Sequence, residues 1–159
     1  MQNHTLEEQV GSLLRQHQWT ISTAESCTGG LILHKLTNIA GSSDYVLGGV
    51  VAYSNQVKQN ILRVKQGTLI AHGAVSEQTA TEMVLGVRDL LKTDVALSVT
   101  GIAGPGGGTA SKPVGLTYIG LAAPNDVLII KRHVWEGDRV AIKEASALAA
   151  LELVLATLS

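Results

Sequence analysis

The stretch Thr23-Ala24-Glu25-Ser26-Cys27-Thr28-Gly29-Gly30 lies between a strand-like segment, Trp19 to Thr23, and a helix-like one, Leu31 to Leu36. A serine at a strand-to-helix turn is presented at the mouth of a sheet. The N–H groups of a first helical turn lack helical partners and favour negative charge nearby. Ser26 therefore reads as a nucleophile beside ready oxyanion donors from Thr28, Gly29 and Gly30, or, equally simply, Ser26 or Thr28 caps the helix.

Lys58 supplies the matching base chemistry. It lies early in a short helix, where the dipole disfavours a cation, and burial would lower its pKa further, leaving neutral amine to take a serine proton. Taken alone, Lys58 also reads as an ordinary solvated lysine. Tyr53, five residues earlier, is placed to relay that proton or orient the amine. Cys27 is the rival nucleophile. Successive residues point in different directions, so only one of Ser26 and Cys27 is expected to face the site; a free cysteine is otherwise a small buried hydrophobe. Gly101 to Gly108 holds five glycines in eight residues. It lacks both the P-loop ending and the dinucleotide fingerprint, and reads as a turn that lets backbone approach a ligand or as a plain connector. Arg139 opens a helix and can pair with a phosphate or with a surface acid. His4, His17, His34, His72 and His133 show no metal spacing, so no metal site is expected.

The elements that position these residues follow from pattern. Thr5-Leu6-Glu7-Glu8 is a capping box, followed by Leu6, Val10, Leu13 and Leu14 on one helical face. Tyr45 to Tyr53 reads as a strand, whose paired Gly48 and Gly49 imply a bulge or a close approach. Ser54 or Asn55 caps the Lys58 helix, and Lys65 to Gly73 looks irregular. Ser76 caps a long helix carrying Ala80, Met83, Val84, Val87 and Leu91. Val95 to Thr100 is a strand. Val114 to Ala123 and Val127 to Trp135 pair antiparallel across Pro124-Asn125-Asp126. Asp138 caps a last helix running to about Leu158. It is apolar nearly all round, which predicts burial on more than one side and self-association. The order implies an α/β layered domain with a mixed sheet.

Bulk properties narrow the function. The 159 residues suit one domain, 1–159, with a single core. With 45% apolar and 16% charged residues the chain is globular. A formal net charge of −1 and no Lys/Arg run beyond two residues speak against a nucleic-acid partner. The single cysteine suits a reducing compartment. No apolar run approaches the roughly 20 residues of a membrane span, and the N-terminus shows no signal pattern; a cytoplasmic location is expected.

Taken together, the motifs resemble one family in order: Thr23 to Gly30, Gly41-Ser42-Ser43, Tyr53-Ser54-Asn55 with Lys58, Gly73-Ala74-Val75-Ser76, Thr100 to Gly107, Lys112-Pro113-Val114-Gly115 and Gly137-Asp138-Arg139. This is similar to the CinA C-terminal domain family, which includes stand-alone nicotinamide-nucleotide amidases. The resemblance covers nearly the whole chain. It implies a three-layer α/β/α sandwich with a mixed, mostly parallel sheet of about five strands. It implies hydrolysis of nicotinamide mononucleotide to nicotinate mononucleotide and ammonia, in pyridine nucleotide salvage, without cofactor or metal. Ser26 would be the nucleophile, Lys58 the base and Tyr53 its partner. Thr28, Gly29, Gly30, Thr100, Gly101, Gly104 and Arg139 would contact substrate, and the protein would be a homo-oligomer, dimer or higher. The alternative is a catalytically silent paralogue that binds a nucleotide. Ala40, Trp135 and Lys143 depart from the family pattern, where proline, phenylalanine and arginine are usual; only the last bears on phosphate binding, because lysine lacks the bidentate contact.

Overall fold

A computed structural model describes residues 3–159. The chain runs α1 (Leu6–His17), β1 (Ile21–Glu25), α2 (Leu31–Thr37), a 3-10 turn at Ser42–Asp44, β2 (Val46–Val51), α3 (Asn55–Asn60), α4 (Gln66–His72), α5 (Glu77–Leu91), β3 (Val95–Gly101), β4 (Leu116–Ala123), β5 (Val127–Val134) and α6 (Arg139–Leu158). The sheet order is β2-β1-β3-β4-β5. β1 pairs parallel with β2 and β3, and β4 pairs antiparallel with β3 and β5, so β4 alone runs against the other strands. The mixed sheet with helices on both faces is the expected α/β/α arrangement.

Local chemistry explains most of the elements. The Thr5–Glu8 capping box is formed in both directions. Ser54, Ser76 and Asp138 cap α3, α5 and α6 through side-chain oxygens that accept from Val57, Thr79 and Ala141 N–H. The β4–β5 hairpin turns on Asn125 and Asp126 at φ 67° and 59°, a region those two residues tolerate.

The two faces of the sheet are built differently. On one, Ile21, Leu97, Ile119 and Leu121 meet α1, α2 and α6 through Val10, Leu14, Ile32, Leu36, Leu151 and Val154. On the other, the sheet offers small residues, Ala24, Ala96 and Ala122, so α5 lies close with Met83, Val84 and Val87. The Ser98 hydroxyl donates to the Ala80 carbonyl of α5 at 2.7 Å across this narrow gap. A chain without Phe fills its core this way, with branched aliphatics on one side and alanine on the other.

Two expectations change and a third resolves. β1 sits two residues further on than the Trp19–Thr23 segment, because Glu25 is accommodated inside. The Lys65–Gly73 stretch contains helix α4; it lacks a side-chain cap and is held from outside, with the Thr68 hydroxyl donating to Glu82 Oε1 at 2.8 Å. The Gly48–Gly49 pair involves both alternatives: the register with β1 skips Leu47, and a methyl on Gly49 would lie 2.4 Å from Thr23 Oγ1. As expected, α6 is covered on more than one side, with α1 and α2 flanking it and β3 and β4 beneath. Among the described residues no helix is long and apolar enough to cross a membrane.

Gly86 in α5 gives a test of this packing. A methyl there would lie 2.0 Å from the Leu62 carbonyl oxygen. Gly→Ala inside a helix ordinarily stabilises by up to about 1 kcal/mol. Here Gly86→Ala should instead destabilise by about 1–3 kcal/mol, read from the midpoint of chemical denaturation. A more stable variant would contradict the close α5 approach.

Candidate active site

β1 and β2 are neighbouring parallel strands, so their C-terminal ends lie side by side. Ser26 follows the end of β1, with its N–H donating to the Val99 carbonyl of β3 at 2.9 Å. Past the end of β2 the chain turns at Ala52 and Tyr53, Ser54 caps α3, and Lys58 in α3 points back under the turn. Its Nζ donates to Ser26 Oγ at 3.0 Å, to the Ala52 carbonyl at 2.9 Å and to the Tyr53 carbonyl at 3.3 Å. Lys58 is 1% exposed. No carboxylate lies within ion-pair distance of it among the described residues. Desolvation therefore pushes its pKa below the ordinary 10.5.

Ser26 and Lys58 open onto a cavity of about 190 Å³, whose wall also includes Cys27, Tyr53, Thr100 and Arg139. Asn55, at the start of α3, and Ala74 and Val75 complete much of the rest, and Gly101 and Ala103 close it on the β3 side. Arg139 donates to the Gly104 carbonyl at 2.7 Å and to the Tyr53 hydroxyl at 3.0 Å, joining the glycine-rich loop to the end of β2. The Thr100 hydroxyl donates to the Ala74 carbonyl at 2.7 Å, which fixes the segment before α5 against β3.

Several sequence expectations need correcting at this level. Tyr53 is 62% exposed and its hydroxyl meets Arg139; what Lys58 receives from Tyr53 is its main-chain carbonyl. Ser26 and Cys27 line the same cavity, since the chain has left the strand geometry that would separate them. The Cys27 thiol is pushed from 9.0 up to about 11, mainly by burial, with the Glu25 carboxylate adding to the rise and its own backbone hydrogen bond, Lys143 and Lys58 opposing it. Near neutral pH it is a thiol and a poor nucleophile. Thr28, Gly29 and Gly30 line an adjoining cavity with Leu31, His34 and Lys143 instead of the one holding Ser26. Gly29 N–H is occupied by the Ser26 carbonyl at 3.0 Å. Gly104 does not line the Ser26 cavity and contributes through the carbonyl that holds Arg139.

The residue that sequence reasoning missed is Glu25. Neither Ser26 nor Thr28 caps α2. The N-cap position is Gly30, which has no side chain to offer, and the first free N–H groups of the helix, Ile32 and Leu33, donate to the Glu25 carboxylate at 2.9 and 3.1 Å. The missed signal is local: a glutamate at the end of an apolar strand, next to a helix whose cap is glycine.

With this geometry in view, the family model of the CinA C-terminal domain matches residues 3–158. The chain belongs to the CinA C-terminal domain family. It is 48% identical over 150 residues to a putative competence-damage inducible protein of Moorella thermoacetica, and 51% identical over 150 residues to a CinA-like protein of Microcystis aeruginosa. These alignments cover 94% and 93% of the chain but 36% of each relative, so the chain spans about a third of the length of the curated CinA relatives it matches. Among solved structures, the competence/damage inducible protein CihA of Agrobacterium tumefaciens superposes with a TM-score of 0.91 at 42% identity, covering 95% of this chain and 94% of that one. A CinA superfamily protein of Enterobacter cloacae gives 0.92 at 31% identity, covering 100% and 95%.

The buried amine has a thermodynamic signature. Its folded pKa lies below 10.5, so between the two values the unfolded chain binds more protons than the native state. Stability contributed at this position therefore rises with pH through that window and is lost as pH falls through it. The parent should gain stability relative to Lys58→Met between pH 7 and pH 10, measured by thermal unfolding of both proteins in parallel. A pH-independent difference would argue for a charged, solvated lysine.

Proposed function

We propose that this chain is a serine–lysine amidohydrolase that converts nicotinamide mononucleotide to nicotinate mononucleotide and ammonia. The observation that carries the chemistry is the 3.0 Å contact between Ser26 Oγ and a buried Lys58 amine with no counter-ion. The choice of substrate rests on the family resemblance.

In the proposed reaction, neutral Lys58 takes the Ser26 proton as Oγ attacks the carboxamide carbon. The Ala52 and Tyr53 carbonyls hold the amine in place throughout. The tetrahedral oxyanion is met by the main-chain N–H of Cys27, the residue after Ser26 that lines the cavity, in competition with its own thiol. Such a donor contributes about 3–4 kcal/mol in comparable sites. The Lys58 ammonium returns its proton to the departing nitrogen, giving ammonia and an acyl-serine. Water, deprotonated by the same amine, then releases the acid. Arg139 stands at the cavity wall as the cation for the phosphate, with the Thr100–Ala103 backbone beside the sugar. Binding of that remote phosphate orients the amide.

An ammonia-release assay on nicotinamide mononucleotide tests the reading. Ser26→Ala should lower kcat by at least about 10³-fold. Lys58→Ala should lower it by about 10²–10⁴-fold, and Lys58→Arg should not restore it because a guanidinium stays charged. Cys27→Ala should remain within about threefold of the parent, and loss of activity in that variant would transfer the nucleophile to the thiol. The parent that binds the mononucleotide but releases no ammonia would be a binding module instead. Because the base must be uncharged, kcat/KM should rise with pH to a plateau, with its midpoint below 10.5. Free nicotinamide, lacking the phosphate, should be turned over at least about 100-fold less efficiently. Equal turnover of the two would exclude a phosphate-directed site.

A further inference from the structure

Five helices of this chain begin at a residue that has a side chain, and four of them, α1, α3, α5 and α6, take a cap from it: Thr5, Ser54, Ser76 and Asp138. α2 does not. Its cap comes from Glu25, which precedes Ser26 by one residue and is 1% exposed. The carboxylate accepts from Ile32 N–H at 2.9 Å, Leu33 N–H at 3.1 Å, the Thr28 hydroxyl at 2.7 Å and the Thr23 hydroxyl at 3.2 Å. Three of these donors lie beyond Ser26 in the chain and one before it, so the carboxylate ties the two ends of the turn that presents the serine. No lysine or arginine lies within ion-pair distance of it among the described residues. The negative charge is balanced by N–H and O–H dipoles alone, an arrangement expensive to relocate.

The same turn carries Cys27, which shares the cavity with Ser26. Two nucleophilic side chains therefore line one cavity, and the Ser26 hydroxyl is the one within hydrogen-bond distance of Lys58. We propose that Glu25 is the positioning residue that assigns the nucleophile: its carboxylate fixes the turn so that Ser26 Oγ meets Lys58, and it stands as a fixed negative charge beside which a thiolate at Cys27 must form. A thiolate two residues from an enclosed carboxylate is opposed by like charge, whereas Ser26 attacks with its proton passing to Lys58 as the bond forms and carries no standing charge. The raised Cys27 pKa, to which Glu25 contributes after burial, is in line with this division. The assignment rests on the serine–lysine reading above.

Glu25→Gln preserves the outline of the side chain and removes its charge. Because Cys27 is the sole cysteine, its reaction with iodoacetamide reports on that residue alone. In Glu25→Gln we expect kcat for ammonia release to fall at least about tenfold with KM within about twofold, and the rate of Cys27 alkylation at fixed pH to rise at least about threefold. Glu25→Asp keeps the charge but withdraws the carboxylate by one methylene. It should show the fall in kcat with alkylation at the parent's rate, and it serves as the test on its own where the glutamine variant does not fold. Parent-like kcat in either folded variant overturns the positioning role, and parent-like alkylation in folded Glu25→Gln overturns the electrostatic one. If the parent itself releases no ammonia, the reaction reading fails, and the alkylation rates still decide whether Glu25 governs the thiol.

Discussion

A lysine amine enclosed without an acid is the constraint on which the rest of this structure turns. Burying a charged ammonium is far more costly than burying its neutral form, so the fold lowers the Lys58 pKa by enclosing it. The enclosure succeeds because three oxygens surround the nitrogen, two of them main-chain carbonyls at the end of β2. Those carbonyls are free to face the amine because the strand has ended and α3 has not yet begun. The third oxygen is Ser26 Oγ. Position and charge therefore have one origin: the packing that fixes the amine against the serine also favours its neutral form.

The sheet order explains why the meeting point is there. β1 is an interior strand, with β2 on one side and β3 on the other, both parallel to it. Chains leaving such a strand and its neighbours diverge, and the crevice beyond the carboxyl ends is where open α/β sheets hold ligands. Here β1 delivers Ser26, β2 delivers the carbonyls and the Lys58 helix, and β3 delivers Thr100 and Gly101. The first turn of α6 brings Arg139 over the top, reaching the glycine-rich loop and Tyr53 together. Small residues on the α5 face allow the segment holding Ala74 and Val75 to close the side.

Much of this was legible in the sequence, for stated physical reasons. Caps at Thr5, Ser54, Ser76 and Asp138 are short-range chemistry, readable within four residues, and each formed. The hairpin followed from a three-residue connection. Lys58 was legible as a candidate but its burial was not, because periodicity in a six-residue helix cannot say what lies opposite. Glu25 was missed because a glutamate reads as surface unless its donors are known, and two of these are N–H groups seven and eight residues away. The exchange of partners at Tyr53 had no local signal at all: its hydroxyl meets Arg139, 86 positions along the chain. Thr28, Gly29 and Gly30 were placed in the Ser26 cavity by proximity in sequence, whereas the tight turn leaves them lining a separate one.

The arrangement also makes the site a product of distant parts of the chain. Ser26 and Lys58 lie 32 positions apart, yet the turn bearing the serine is pinned to Val99 and the cavity is roofed from position 139. α1 packs on α6, and the His17 ring meets the Leu158 carbonyl at 2.9 Å, so the helices that flank the five strands in sequence are fastened together. The alignment of the serine and the lysine is therefore a property of the folded domain as a whole, and loosening any one of these distant fastenings loosens the contact between them.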